Sequence, residues 1–162
     1  MPKVALIMGS KSDWPSLKGC VDVLKKFEIE VEVHVASAHR TPETVAAFAA
    51  NARENGFEVI IAAAGKAAHL AGVIAGHTTL PVIGIPVKSS FMDGLDSLLS
   101  TVQMPNGIPV ATVAVGGGDN AAYLAAQMLS IKYPILAEKL LAHREQMAAA
   151  IEADDRQIQD EV

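Results

Sequence analysis

The sequence has one cysteine, Cys20, in 162 residues. It can form no internal disulfide and build no cysteine zinc site. A reducing, cytoplasmic setting is expected. Aromatic residues are also scarce, 7 of 162. A surface that stacks single-stranded bases needs exposed rings, so that class is not expected. Lys and Arg total 13 against 18 Asp and Glu, a net charge of −5 without any basic run. Non-specific nucleic-acid binders cluster cations against phosphates, so no nucleic-acid partner is expected. No apolar run approaches the roughly 20 residues a membrane helix needs, so no membrane partner is expected either. The opening MPKVALIMGSKSD is too short in apolar residues before Gly9 to act as a signal peptide.

What the chain does have is small and aliphatic. Apolar residues make up 51%, and 27 residues are alanine. The length suits a single domain, 1–162, with a real core. Val4 to Met8 reads as a strand, and Leu17, Cys20, Val21 and Leu24 mark a helix face after it. Ser12 or Asp13 could cap that helix, with Pro15 in its first turn. Ile29 to Ala36 alternates polar and apolar residues, the pattern of a strand near a sheet edge. Thr41-Pro42 opens a helix to about Glu54, and Asn55-Gly56 stops it. Val59 to Ala64 is uniformly apolar, as in a central parallel strand. A short helix to about Gly76 follows, then strand Pro81 to Pro86. Ser89 to Thr101 is a loop and helix, with Asp93 or Asp96 near its start. Ile108 to Val115 is the last strand, Gly116-Gly117-Gly118 a flexible loop, and Asn120 to Ile131 a helix. Five strands alternating with helices predict a three-layer α/β/α sandwich with a parallel sheet of order 2-1-3-4-5.

A last helix, residues 133–158, comes after the sheet is complete. Leu136, Leu140, Leu141 and Met147 give it an apolar stripe. Packing on its own domain and packing on a neighbouring subunit suit that stripe equally. The tail from Glu152 to Val162 is polar and expected to fray.

In an open parallel sheet, ligands bind beyond the carboxyl ends of the strands, where strand order reverses. Here that is between strands one and three. Gly9-Ser10-Lys11-Ser12-Asp13 could hold a phosphate with hydroxyls and free N–H groups. Asp13 would repel phosphate but accept hydrogen bonds from sugar hydroxyls, so the loop hints at a ribose phosphate. Helix capping by Ser12 and Asp13 explains the same residues, and for this loop alone is the stronger reading. In Ser37-Ala38-His39-Arg40, Arg40 offers a fork of donors for phosphate and His39 a proton carrier near neutral pH. Gly65-Lys66-Ala67-Ala68-His69-Leu70 leaves room for a flat ring, and His69 could bind a ligand or orient the loop. His34, His77 and His143 read as structural or solvent-facing. No His-x-x-x-His, cysteine pair or acidic triplet points to a metal. The Gly-x-x-x-x-Gly-Lys-Ser/Thr loop and the Gly-x-Ser-x-Gly elbow are both absent.

Taken together, MGSKSDW, SAHRTPE, AAHLAG, LPVIGIPV, GLDSLLSTVQMPNGIPVATVAV and NAAYLAAQML resemble the N5-carboxyaminoimidazole ribonucleotide mutase family of purine biosynthesis over residues 4–131. Ala-Ala-His-Leu within Ala64–Leu70 matches the mutase class rather than the related carboxylases that use free carbon dioxide. The resemblance implies conversion of N5-carboxyaminoimidazole ribonucleotide to its 4-carboxy isomer, with no metal and no organic cofactor. It implies a homo-octamer whose C-terminal helix packs across subunits. It also implies His39 as the acid–base residue. Ser10, Asp13 and Arg40 would bind the ribose phosphate with Ser37 nearby, and Ala64, Gly65, Lys66, His69 and Leu70 would cover the aminoimidazole. Lys66 and Ala71 depart from the family's Gly-Gly-Ala-Ala-His-Leu-Pro, and the Gly116–Asp119 loop is shorter than usual. Lys66 could help hold the carboxylate or point outward. The rival readings are a carboxylase acting on aminoimidazole ribonucleotide and a non-enzymatic receiver-like module. The second lacks an acidic cluster, since strand three ends in Ala63-Ala64-Gly65.

Overall fold

The computed structural model describes residues 1–162. Five parallel strands, β1 (Lys3–Met8), β2 (Glu30–Val35), β3 (Val59–Ala64), β4 (Val82–Pro86) and β5 (Ala111–Thr112), lie in the order β2-β1-β3-β4-β5. The helices are α1 (Trp14–Lys26), α2 (Pro42–Asn51), α3 (Leu70–His77), α4 (Leu95–Val102), α5 (Gly118–Ser130) and α6 (Pro134–Glu161). No helix is long and apolar enough to cross a membrane.

Side chains alternate along the central strands, and each face of the sheet builds its own core. Val4, Leu6 and Met8 pack with Leu17, Cys20, Val21 and Leu24 of α1 and with the alanines of α5. Ala5 and Ile7 point the other way, onto Val45 and Ala49 of α2 and Ala71 and Ile74 of α3. β3 is buried on both faces, as its unbroken apolar run predicts. Each large aliphatic side chain hidden this way stabilises the fold by roughly 1.5–3 kcal/mol. The Cys20 thiol sits in the first core. Burial, with the Asp119 carboxylate nearby, pushes it up to about 12, so it is a packing group and not a nucleophile.

Several element boundaries differ from those expected. β5 is two residues long where Ile108 to Val115 was predicted. Pro109 lacks an N–H, and beyond Thr112 only single bonds, Val113 N–H to Gly84 O and Gly116 N–H to Pro86 O, continue the pairing. α2 ends at Asn51 rather than Glu54, where the Ala52 N–H turns to Ala49 O and tightens the last turn. The glycine triplet forms a turn into α5, with Gly116 at φ +71° and the Gly117 N–H bonded to Ala114 O. α6 runs to Glu161, so the polar tail expected to fray is helical. Its last turns hold good helix formers, and Gln157 bonds Glu161 one turn on. β2 is an edge strand as predicted, with Val33 and Val35 left 38% and 59% exposed.

Candidate active site

The loops beyond the carboxyl ends of β1, β2 and β3 meet over the point where strand order reverses, and the loop after β4 closes a fourth side. Together they wall a cleft of about 600 Å³. Ser10 and Asp13; Ser37, His39 and Arg40; Ala64, Gly65 and Lys66; and His69 and Leu70 all line it, while Lys11 of the first loop does not.

The first loop leaves β1 at Gly9, whose N–H extends the β1–β3 pairing by bonding Ala63 O at 3.0 Å. A single 3-10 turn, Lys11–Asp13, precedes α1. Ser10 caps it by accepting from the Ser12 N–H at 3.3 Å. This corrects the capping expectation: neither Ser12 nor Asp13 caps α1, and the Asp13 side chain makes no cap hydrogen bond. The Asp13 carboxyl is instead turned to the cleft wall. Partial burial holds it above the ordinary carboxylate value of 3.8, with a backbone hydrogen bond from Ser10 working the other way.

A carboxylate whose folded pKa is raised destabilises the fold while it is charged. That penalty is full above the raised value, falls as the pH drops through it, and is gone below 3.8. Asp13→Asn should therefore melt higher than the parent at neutral pH, with the difference vanishing in acid. The same substitution should weaken binding of a ribonucleotide. Thermal melts across pH, paired with calorimetric titration, check both halves.

The β2 loop is a hydrogen-bonded turn in which Thr41 and Ser37 bond each other through side chain and backbone. The Ser37 hydroxyl accepts from the Arg40 N–H at 3.1 Å and faces Nε at 3.4 Å. Arg40 Nη2 donates to the Gly9 carbonyl at 2.9 Å. The guanidinium thus spans from the second loop to the first and leaves donors free beside Ser10 and Ser12.

His39 rises from the same turn and meets His69, which stands at the start of α3. Nε2 of His39 and Nδ1 of His69 are 2.7 Å apart, with the rings nearly perpendicular. One ring donates and the other accepts, so a proton held between them can serve either. Sequence reasoning left His69 open between binding a ligand and orienting its loop; it is the hydrogen-bonded partner of His39.

The third loop is fixed from behind by α4. The Ala68 N–H donates to Ser100 Oγ at 2.9 Å, and the His69 N–H closes a tight turn on Ala67 O. Lys66 sits at the crest with φ +54°. The fourth wall, Val87, Lys88 and Ser89, was not read from the sequence. The signal was there, because these residues follow β4, the neighbour of β3, at the same edge of the sheet. Ser89 Oγ donates to Asp96 Oδ1 at 2.6 Å, and Lys88 pairs with Asp93 at 3.1 Å. No group of three His, Cys, Asp or Glu side chains gathers to hold a metal ion. The charged lining is one carboxylate against Arg40, Lys66 and Lys88. The cleft therefore favours an anion on a chain whose net charge is −5.

Comparison with known proteins fits this geometry. Residues 3–150 match the AIR carboxylase family. The chain belongs to that family. An N5-carboxyaminoimidazole ribonucleotide mutase of Pyrococcus abyssi is 59% identical over 91% of this chain and 84% of its own length. A protein of the same name from Mycobacterium tuberculosis is 51% identical over 98% and 91%. Among solved structures, Treponema denticola PurE superposes with a TM-score of 0.87 at 30% identity, covering 97% of this chain and 98% of its own. The family assignment thus spans the whole sheet and all four walls of the cleft.

Proposed function

We propose that this protein is an isomerase of purine biosynthesis. It moves the carboxyl group of N5-carboxyaminoimidazole ribonucleotide from the exocyclic nitrogen to ring carbon 4. The observation that carries the reading is that one cleft holds both the hydrogen-bonded His39–His69 pair and the first loop with Arg40 braced against it. The relatives that share 48–59% of the sequence and bear the mutase name support it.

The phosphate sits among Ser10, Ser12 and the free donors of Arg40, and Asp13 accepts from the ribose hydroxyls. The ring lies against Ala64, Gly65 and Leu70, where small and apolar groups leave space for a flat heterocycle. The nitrogen–carboxyl bond breaks, its electron pair returns to nitrogen, and His39 delivers a proton there. Carbon dioxide, held in the cleft, is attacked by ring carbon 4. His39 then removes the proton that carbon no longer needs. No net proton is gained or lost, and recapture is effectively intramolecular because the gas does not leave. His69 orients the His39 ring and shares its proton. The chain works as a single catalytic domain, 1–162, in the cytoplasm.

We further propose a homo-octamer, with α6 laid across a neighbouring subunit. Leu136 alone is buried on α6, while Ile135, Leu141, Met147 and Ile151 are each more than half exposed.

Purified protein supplied with N5-carboxyaminoimidazole ribonucleotide should form the 4-carboxy isomer without added bicarbonate. Product only when aminoimidazole ribonucleotide and carbon dioxide are supplied would make it a carboxylase instead.

A further inference from the structure

We propose that Lys66 is the group that selects for the carboxylate of the ribonucleotide, a specificity residue within the mutase site on whose assignment this inference rests. Three observations meet at this side chain. Its backbone is left-handed, φ +54°, in a region that favours glycine. Such a conformation persists in a residue with a Cβ only where the surroundings impose it, and it collects at ligand sites. The surroundings here are visible. Ser100 of α4 takes the Ala68 N–H at 2.9 Å and lies 3.3 Å from the Lys66 carbonyl, so α4 holds the turn directly after the strained Cα. The chain thus keeps a lysine at a crest where glycine would relax the backbone.

The second observation is charge. Three cations line the cleft, and two already have protein partners. Arg40 is spread between Ser37 and the Gly9 carbonyl, and Lys88 is paired with Asp93. Lys66 makes no ion pair. It is the lining cation whose side chain has no protein partner at all, open to a second ligand anion besides the phosphate given to Arg40.

The third is position. Lys66 lies three residues before His69 on the third loop, which lines one cleft with the first loop that carries Gly9 and the second that carries Arg40. A ribonucleotide tethered by its phosphate at the first loop brings its other anion toward the His39–His69 pair. That anion is the carboxylate in both substrate and product. An ammonium there holds the carboxylate before the nitrogen–carboxyl bond breaks. It also favours the charge that returns when carbon 4 captures the carbon dioxide.

The test compares two ligands on three proteins. The parent, Lys66→Met and Lys66→Gly are titrated with 4-carboxy-5-aminoimidazole ribonucleotide and with 5-aminoimidazole ribonucleotide, which keeps the phosphate and ring and lacks the carboxylate. Both variants should bind the carboxylated ligand about 10- to 100-fold more weakly, the range of a lost charge-assisted contact, and the other ligand as before. Lys66→Gly should also melt higher than the parent, because the strained backbone relaxes. Lys66→Arg should restore most of the lost discrimination. In turnover, the Met variant should release more free 5-aminoimidazole ribonucleotide per isomer formed. Equal weakening of both ligands would mean that Lys66 only shapes its loop, and unchanged binding of both would mean that it faces solvent. Either result overturns the proposal. A parent that discriminates between the two ligands but does not isomerise the substrate would instead remove the mutase reading.

Discussion

His39→Asn is expected to bind the ribonucleotide as the parent does and to isomerise it roughly 10²–10⁴-fold more slowly, the usual worth of a positioned acid–base group. Asn keeps a polar group at the δ position but is too short to replace the Nε2 that meets Nδ1 of His69. It cannot give a proton to the exocyclic nitrogen and then take one from carbon 4. The loss should therefore fall on kcat, with KM little changed, because the group acts on the reacting atoms and not on the phosphate or ribose. Product affinity by calorimetry gives the binding half and a discontinuous isomer assay the rate half. Turnover near that of the parent would take His39 out of the mechanism.

Arg40→Ala is expected to weaken ribonucleotide binding about 10- to 100-fold, because charge-assisted hydrogen bonds to a phosphate are lost. The corresponding nucleoside, which lacks the phosphate, should bind both proteins alike. Arg40 has a second duty, since its Nη2 braces the Gly9 carbonyl at the root of the first loop. Arg40→Lys separates the two. Lysine keeps the charge, but a single ammonium cannot hold that carbonyl and a phosphate with the same planar fork. The lysine variant should fall between the parent and the alanine variant for the nucleotide. Nucleotide affinity unaltered by Arg40→Ala would place the phosphate elsewhere in the cleft.

Periodicity made the layers readable before any coordinates. The unbroken run Val59 to Ala64 marks β3 as central, the alternation from Glu30 to Val35 marks β2 as an edge, and Leu17, Cys20, Val21 and Leu24 are the buried face of α1. The reversal of strand order then located the cleft, and its polar loops supplied Ser10, Asp13, Ser37, His39, Arg40, Lys66 and His69. What stayed hidden depends on contacts between segments far apart in the chain. The bond from His39 to His69 joins residues 30 apart in sequence, and that from Ala68 to Ser100 joins residues 32 apart. No local pattern encodes either. The cap at Ser10 rather than Asp13 was hidden for another reason. A 3-10 turn and an α-helix start with the same residue types, and the inserted turn moved the capping position three residues back. β5 was overread because Val110, Thr112, Val113 and Val115 favour extended backbone, while the pairing that makes a strand is interrupted.

The core between the sheet and helices α2 and α3 is rich in alanine: Ala49 and Ala52 at the end of α2, and Ala71 and Ala75 in α3, all buried. Alanine has no side-chain torsion to turn, so this backing has no alternative packing to drift into and gave up no rotamer freedom in forming. A bulkier residue there would push its helix off the sheet. Divergence in what this scaffold recognises is thereby steered away from the interior and onto the loop crests, where the change proposed for position 66 leaves the frame in place.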